Sequence, residues 1–185
     1  MPGLVPIPAA AVADPDSSVL KSAVLANVAW QMALNRKMGA LKGLQGHVWR
    51  DAFTSGAVKG AIYDDVAAKM REWHEVGVVK QYIYSSGSVE AQKLVFGHSV
   101  HGDLTPLLAG YYDTAVGHKR ERAAYDAILR DLGLAGHEAV FLTDIYEEAV
   151  AADQAGIKTV LLLREGNAPL PEDNAFPTAT SFDIL

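Results

Sequence analysis

The sequence predicts an α/β fold in which helices cover both faces of a parallel sheet. After Gly77, apolar runs of strand length alternate with segments of helical periodicity, which is the pattern of strands joined by packed helices. The runs are continuously apolar, as is typical of strands that are buried on both faces. The 185 residues, 50% of them hydrophobic, suffice for one core with a small appendage.

The N-terminal third predicts helices and no strand. Residues 1–16 are rich in Pro and Ala and predict an irregular lead-in. Ser17 or Ser18 can cap a first helix, and a second helix is expected beyond a break near Gly39. The apolar positions of the two helices are Leu20, Val24, Val28 and Met32, then Leu41, Leu44, Val48 and Trp49. We assign residues 17–62 to a small helical cap.

Residues 63–185 are expected to form the α/β core. A helix over 63–75 ends before Gly77, and a helix over 120–132 ends before Gly133, because glycine is the usual residue after a helix. Strands are expected over 78–84, 139–142 and 159–163, with further helices over 89–96 and 145–155. The segments 97–113 and 164–185 are expected to be mostly loop.

Composition narrows the possible partners and compartments. The net charge is −6, with 16 basic and 22 acidic residues and no basic run, so a nucleic-acid partner is not expected. No apolar stretch approaches the ~20 residues of a membrane span, so no membrane partner is expected either. The chain has no Cys, which fits a reducing compartment such as the cytoplasm. We expect a monomer.

Polar residues follow the apolar strands. Ser85 and Ser86 come after one strand, Asp144 comes after another, and Lys119 opens a predicted helix. In an open parallel sheet, ligands bind outside the carboxyl ends of the strands, so these side chains are expected near one ligand. Hydroxyl and N–H groups at a helix N-terminus favour an anion.

Structural explanations of the same residues remain open. Ser86 or Ser88 can simply cap the following helix. Asp144 and Glu147 have the spacing of a capping box, with Asp at the N-cap and Glu at N3. Lys119 can be a solvated side chain beside Glu121.

Several motifs together resemble one family. They are Tyr84-Ser85-Ser86-Gly87-Ser88-Val89-Glu90-Ala91-Gln92-Lys93-Leu94, Phe96-Gly97-His98-Ser99, Gly102-Asp103-Leu104-Thr105-Pro106, Gly117-His118-Lys119-Arg120, Phe141-Leu142-Thr143-Asp144 and Arg164-Glu165-Gly166-Asn167. These stretches are similar to the acireductone synthases, the enolase-phosphatases of methionine salvage within the haloacid dehalogenase superfamily. The resemblance extends over roughly residues 20 to 170.

The resemblance implies a fold and a chemistry. The fold is a haloacid dehalogenase-like parallel sheet with a helical cap. The chemistry is the magnesium-dependent conversion of 2,3-diketo-5-methylthiopentyl-1-phosphate, a small phosphorylated diketone, to an acireductone and phosphate. By resemblance, Ser85 and Ser86 hold the substrate phosphate, Lys119 is catalytic and neutralises the phosphoryl oxygens, and Asp144 binds magnesium.

The chain departs from this family at its N-terminal end. The family's first strand ends in a nucleophilic Asp, and no segment here matches it in context. Asp14 has a superficially similar spacing, but it follows an Ala/Pro segment and not a strand, and a turn containing Pro15 is the favoured explanation. Asn35 stands where the family tends to have Asp, and Met38-Gly39 stands where its cap usually has hydroxyl residues. We therefore expect the first core strand to be missing, with a gap beside strand 78–84. A non-catalytic fragment that retains the phosphate site is the alternative function.

Overall fold

The chain forms two compact units, Met1–Asp51 and Ala52–Leu185. The computed structural model describes residues 6–7, 17–34, 36 and 38–185. Asp14, Asn35 and most of the expected lead-in therefore lie outside the described residues. The expected boundary between cap and core, at residues 62 and 63, stays a prediction.

The predicted N-terminal helices are present. Helix α1 covers Ser18–Ala33, and helix α2 covers Gly39–Thr54. The Ser17 hydroxyl accepts the Leu20 N–H at 3.1 Å, so Ser17 is the N-cap that the sequence offered. The break falls before Gly39, which is the first residue of α2.

The second unit alternates strands and helices. Its helices are α3 Asp64–Val76, α4 Val89–Gly97, α5 Arg122–Leu132 and α6 Tyr146–Gln154. Its strands are β1 Gln81–Tyr84, β2 Leu108–Tyr112, β3 Val140–Thr143, β4 Lys158–Leu162 and β5 Thr178–Ala179. The predicted α/β class is confirmed. None of the helices among the described residues is long and apolar enough to cross a membrane.

Three strand predictions were wrong in detail. β1 begins at Gln81 and not at Val78, because its partner β2 begins at Leu108, directly opposite Gln81. Val78 is accordingly 80% exposed. β2 occupies a segment that was expected to be loop. Gly110 in β2 weakens the strand signal, yet it lies against the Tyr82 ring of β1. The short strand β5 was also missed.

The strands form two separate parallel sheets, β1-β2 and β3-β4-β5. Within the described residues no strand lies between β1 and β3. The expected loss of the first core strand stays a prediction, since residues 1–5 and 8–16 are not among the described ones. Tyr125 of α5 bridges the two sheets, since its ring packs edge-on against Tyr84 of β1 and Phe141 of β3, with centroid distances of 5.6 and 5.2 Å. Tyr125 is 1% exposed and belongs to the core cluster of the unit.

Candidate functional site

Lys119 lies in a turn and does not open a helix, contrary to the prediction. Helix α5 begins only at Arg122, because Glu121 has an extended backbone and acts as its N-cap. Two tyrosine hydroxyls hold the turn: Tyr125 donates to the Lys119 carbonyl at 2.7 Å, and Tyr84 donates to the Gly117 carbonyl at 3.0 Å. The turn is therefore held both from β1, by Tyr84, and from α5, by Tyr125.

Gly117 allows the turn to approach α5. Its φ is 140°, in the region that favours glycine, and a Cβ at this position would lie 2.8 Å from the Cβ of Ala124. Burial raises the pKa of Tyr84 to about 12, with a further contribution from the Glu148 charge. The Tyr84 hydroxyl therefore stays protonated and keeps donating to Gly117.

The Lys119 ammonium group forms a close ion pair with Glu148. Lys119 Nζ lies 2.6 Å from Glu148 Oε2, and 5.7 and 5.9 Å from the ring centroids of Tyr84 and Phe141. Glu148 is 8% exposed and also accepts a hydrogen bond from Thr143 Oγ1 at 2.8 Å. This contact places the Lys119 charge at the carboxyl end of β3.

Sequence reasoning missed Glu148. Its burial could have been suspected from the sequence, because Glu148 stands four positions after Asp144 beside the small apolar residues of an Ala-rich helix. A buried carboxylate in such a position needs a partner, because a lone buried charge is costly. Lys119 and Thr143 are those partners.

Asp144 is exposed and does not cap α6, so the capping-box prediction was wrong. The N-cap of α6 is Ile145, whose N–H donates to Thr143 Oγ1 at 3.2 Å. The carboxylate of Asp144 instead accepts a hydrogen bond from Asn167 Nδ2 at 2.9 Å. It lines an open cleft of ≈ 250 Å³ at the carboxyl ends of β3 and β4.

The loop after β4 is anchored by residues that line this cleft. Arg164 forms an ion pair with Asp65, and its guanidinium lies 4.5 Å from the centroid of the Tyr63 ring. Asp65 also accepts the Ser181 hydroxyl at 3.0 Å and the Phe182 N–H at 2.7 Å. Burial alone would raise the pKa of Asp65, but the hydrogen bonds from these three residues lower it to about 2.

The two candidate serines follow β1. Ser85 N–H donates to the Tyr112 carbonyl at 3.1 Å, and Ser85 Oγ accepts the Gly87 N–H at 3.1 Å. No described residue accepts the Ser85 hydroxyl proton, so this proton can be donated to a ligand. Ser86 is exposed and makes no hydrogen bond within the described part of the chain.

The N-terminus of α4 already has partners. Ser88 is its N-cap and accepts the Ala91 N–H at 3.3 Å, so the capping role falls to Ser88 and not to Ser86. Asp113 Oδ2 accepts the Val89 N–H at 3.3 Å. These contacts occupy the Val89 and Ala91 amides and leave the hydroxyl groups of Ser85 and Ser86 as hydrogen-bond donors for an anion.

The structure brings Lys119 and Asp144 to the same strand end, through Glu148 and Thr143. Ser85 follows Tyr84, whose ring packs near the Lys119 ammonium. No hydrogen bond or ion pair joins either serine to Lys119 or Asp144 in the described regions. The assigned roles of the four residues stay predictions.

A magnesium ion would find one carboxylate ligand here. Within residues 6–7, 17–34, 36 and 38–185, no group of three or more His, Asp or Glu side chains could hold a metal. Magnesium in phosphate-handling sites is usually held by one or two carboxylates, with waters and phosphate oxygens completing the shell. Asp144, with one oxygen bonded to Asn167 and the other unbonded to described residues, fits such a site as one ligand.

Known proteins are similar to this chain over nearly its whole length. Enolase-phosphatase E1 of Xenopus tropicalis is 48% identical over 172 residues, which are 93% of this chain and 66% of that protein. Enolase-phosphatase E1 of Anopheles gambiae is 48% identical, covering 99% of this chain and 61% of that protein. The crystal structure of the UTR4 protein of Saccharomyces cerevisiae is 33% identical, with a TM-score of 0.81 over 95% of this chain and 86% of its own. The chain belongs to the enolase-phosphatase E1 family.

Two further comparisons bear on the family assignment. No protein-family model matches the chain. A haloacid dehalogenase (HAD) family hydrolase of Deinococcus radiodurans R1, 18% identical, has a TM-score of 0.56 over 95% of this chain and 82% of its own, which supports the fold alone. The chain spans slightly less than two thirds of the length of the Xenopus and Anopheles family members.

Proposed function

We propose that this chain is the phosphate-handling part of a magnesium-dependent enolase-phosphatase. The substrate is 2,3-diketo-5-methylthiopentyl-1-phosphate, the products are an acireductone and phosphate, and the pathway is methionine salvage in the cytoplasm. The observation that carries the proposal is the Lys119 ammonium group, which is held 2.6 Å from Glu148 at the end of β3. Phosphoryl transfer depends chiefly on positioning and on cations that stabilise the phosphoryl oxygens.

Each site residue has a role in this proposal. Lys119 is catalytic and neutralises the phosphoryl oxygens. The hydroxyl groups of Ser85 and Ser86 donate hydrogen bonds to the substrate phosphate. Asp144 is a magnesium ligand, and magnesium when bound supplies further positive charge at the phosphate. We expect a monomer without nucleic-acid or membrane partners, in line with the net charge of −6.

Hydrolysis through a covalent intermediate also needs a nucleophilic carboxylate. Glu148 is unsuited, because it is buried and already bonded to Lys119 and Thr143. The proposal therefore takes the nucleophile from outside the described residues. Asp14 is the residue of this sequence whose spacing offers it.

A non-catalytic phosphate-binding protein is the second candidate. The observation that favours it is the separation of β1-β2 from β3-β4-β5 within the described residues. A strand between the two sheets would end beside Lys119, where a nucleophile has to lie. Without that carboxylate the site can bind phosphate but cannot form a covalent intermediate.

Phosphate release from the diketo phosphate, with magnesium and the 185-residue chain, tests the proposal. Lys119→Met is the main variant, and Lys69→Met is its matched control because Lys69 forms a similar ion pair with Glu72 on α3, at 3.1 Å. We expect release that Lys119→Met abolishes and Lys69→Met leaves unchanged. Asp14→Asn then shows whether Asp14 is the nucleophile.

Calorimetry with inorganic phosphate separates the two candidates. Phosphate binding that is lost in Lys119→Met, without any substrate turnover, supports the non-catalytic function. If the chain neither binds phosphate nor releases it from substrate, both functions are excluded.

A further inference from the structure

The loop after β4 holds an amide against the candidate metal carboxylate. Asn167 Nδ2 donates to Asp144 Oδ2 at 2.9 Å, while Asn167 Oδ1 accepts the Arg164 N–H at 2.6 Å. The second contact settles the orientation of the amide, since an N–H donor must face the oxygen end. The nitrogen end is thereby directed at Asp144.

The base of this loop is fixed. Arg164 supplies the N–H that orients Asn167, and its own side chain is held by Asp65 and by the face of the Tyr63 ring. Asp65 is also bonded to Ser181 and Phe182 in the C-terminal segment. The amide is therefore presented by an anchored backbone and not by a free surface loop.

We propose that Asn167 is a positioning residue for Asp144. By occupying Oδ2, Asn167 stops the carboxylate from rotating freely and leaves Oδ1 to face a divalent cation in the adjoining cleft. Groups that hydrogen-bond a ligating carboxylate typically contribute 10-fold to 100-fold to metal affinity. This inference rests on the proposed function, because it takes Asp144 as the metal ligand.

Titration with Mn²⁺ in the presence of inorganic phosphate tests the inference without a turnover assay. Free Mn²⁺ is followed by electron paramagnetic resonance, with the full 185-residue chain. The variants are Asn167→Ala and Asp144→Asn. The matched control is Asn174→Ala, because Asn174 also bonds through both ends of its amide, but to Phe176 backbone atoms at 3.1 Å and not to Asp144.

We expect Asp144→Asn to abolish Mn²⁺ binding, Asn167→Ala to weaken it by about 10-fold or more, and Asn174→Ala to leave it unchanged. Circular dichroism checks that all variants are folded. Asn167→Ala and Asn174→Ala should lose similar thermal stability. Equal Mn²⁺ affinity in Asn167→Ala and the parent chain, with binding lost in Asp144→Asn, refutes the positioning role and leaves the metal assignment intact. If Asp144→Asn binds Mn²⁺ as the parent does, or if the parent binds none, the metal assignment of the proposed function fails as well.

Discussion

Lys119 and Glu148 form an ion pair whose two side chains are 19% and 11% exposed, with 2.6 Å between Nζ and Oε2. At this depth the pair is less screened than a surface ion pair. The Glu148 charge also lies where an incoming phosphate would meet Lys119. Under the proposed function, the two residues link the stability of the fold to the affinity for phosphate.

Glu148→Gln is expected to change these two properties in opposite directions. Removing the carboxylate charge should lower the free energy of unfolding by about 1–3 kcal/mol, because Lys119 loses its partner. Inorganic phosphate should bind several-fold more tightly, since one negative charge beside the anion is gone. Glu147→Gln is the control, because Glu147 is 59% exposed and lies 4.0 Å from Arg120. Urea unfolding and calorimetry provide both values, and weaker phosphate binding in Glu148→Gln would contradict the assignment of Lys119.

A comparison of Ser85→Ala with Ser88→Ala separates anion binding from helix capping. Ser85→Ala should weaken phosphate binding with little loss of stability, because its hydroxyl proton is not accepted by any described residue. Ser88→Ala should cost about 0.5–2 kcal/mol of stability and leave phosphate affinity unchanged, since Ser88 caps α4. Calorimetry and thermal unfolding of both variants check this, and the opposite pattern would make Ser85 a structural residue.

Tyr125→Phe tests how the Lys119 turn is held. The change removes the hydrogen bond to the Lys119 carbonyl and should cost about 1 kcal/mol of stability, with weaker phosphate binding. Tyr112→Phe is the control, because the Tyr112 hydroxyl donates to Asp131 at 2.7 Å and not to a residue of the turn. Equal effects of the two variants on phosphate affinity would show that Tyr125 does not position Lys119.

Asp65 makes stability depend on pH in the acid range. Its pKa is lowered to about 2 in the folded state, against 3.8 for the free group. The stabilisation is therefore complete above about pH 4 and disappears as the pH falls towards 2. Asp65→Asn should be less stable than the parent at pH 6, and the difference should shrink towards pH 2.

Asp64→Asn is the control for this pH dependence, because the Asp64 side chain is 99% exposed beside His101. Thermal unfolding between pH 2 and pH 6 provides the comparison. A constant difference between parent and Asp65→Asn over this range would contradict the role of the Asp65 charge.

The gap between β1 and β3 predicts an alternation in hydrogen exchange. Ser85 N–H points to β2, so Ile83 N–H points there too, whereas the N–H groups of Tyr82 and Tyr84 face the gap. Amide exchange measured by nuclear magnetic resonance should be faster at Tyr82 and Tyr84 than at Ile83. Equal protection along β1 would show that a segment outside the described residues pairs with this edge.

Local sequence patterns predicted most of the elements. Patterns within a few residues of the chain predicted the N-cap and two helix ends, which are Ser17, Gly77 and Gly133. Helical periodicity also predicted the buried positions Tyr125 and Leu129. The same holds for the alternation of strands and helices. The gap beside β1 was instead expected from the family resemblance, and it stays a prediction.

Longer-range contacts account for the errors. A strand forms only where a partner strand lies opposite it. The pairing of Gln81 with Leu108 therefore decides that β1 does not extend over residues 78–80 and that residues 108–112 form a strand. Asp144 has the spacing of a cap, but Asn167, 23 positions later, competes for its carboxylate.

The sequence alone thus established the helices, the glycines that end two of them and the α/β class, because periodicity and capping are properties of neighbouring residues. Tertiary structure alone decided that Glu148 pairs with Lys119, that Asn167 bonds to Asp144 and that Asp113 accepts the Val89 N–H at the start of α4. The physical reason is that a charge or hydrogen-bonding group takes whichever partner folding brings within about 3 Å, and that partner is not encoded in the local pattern.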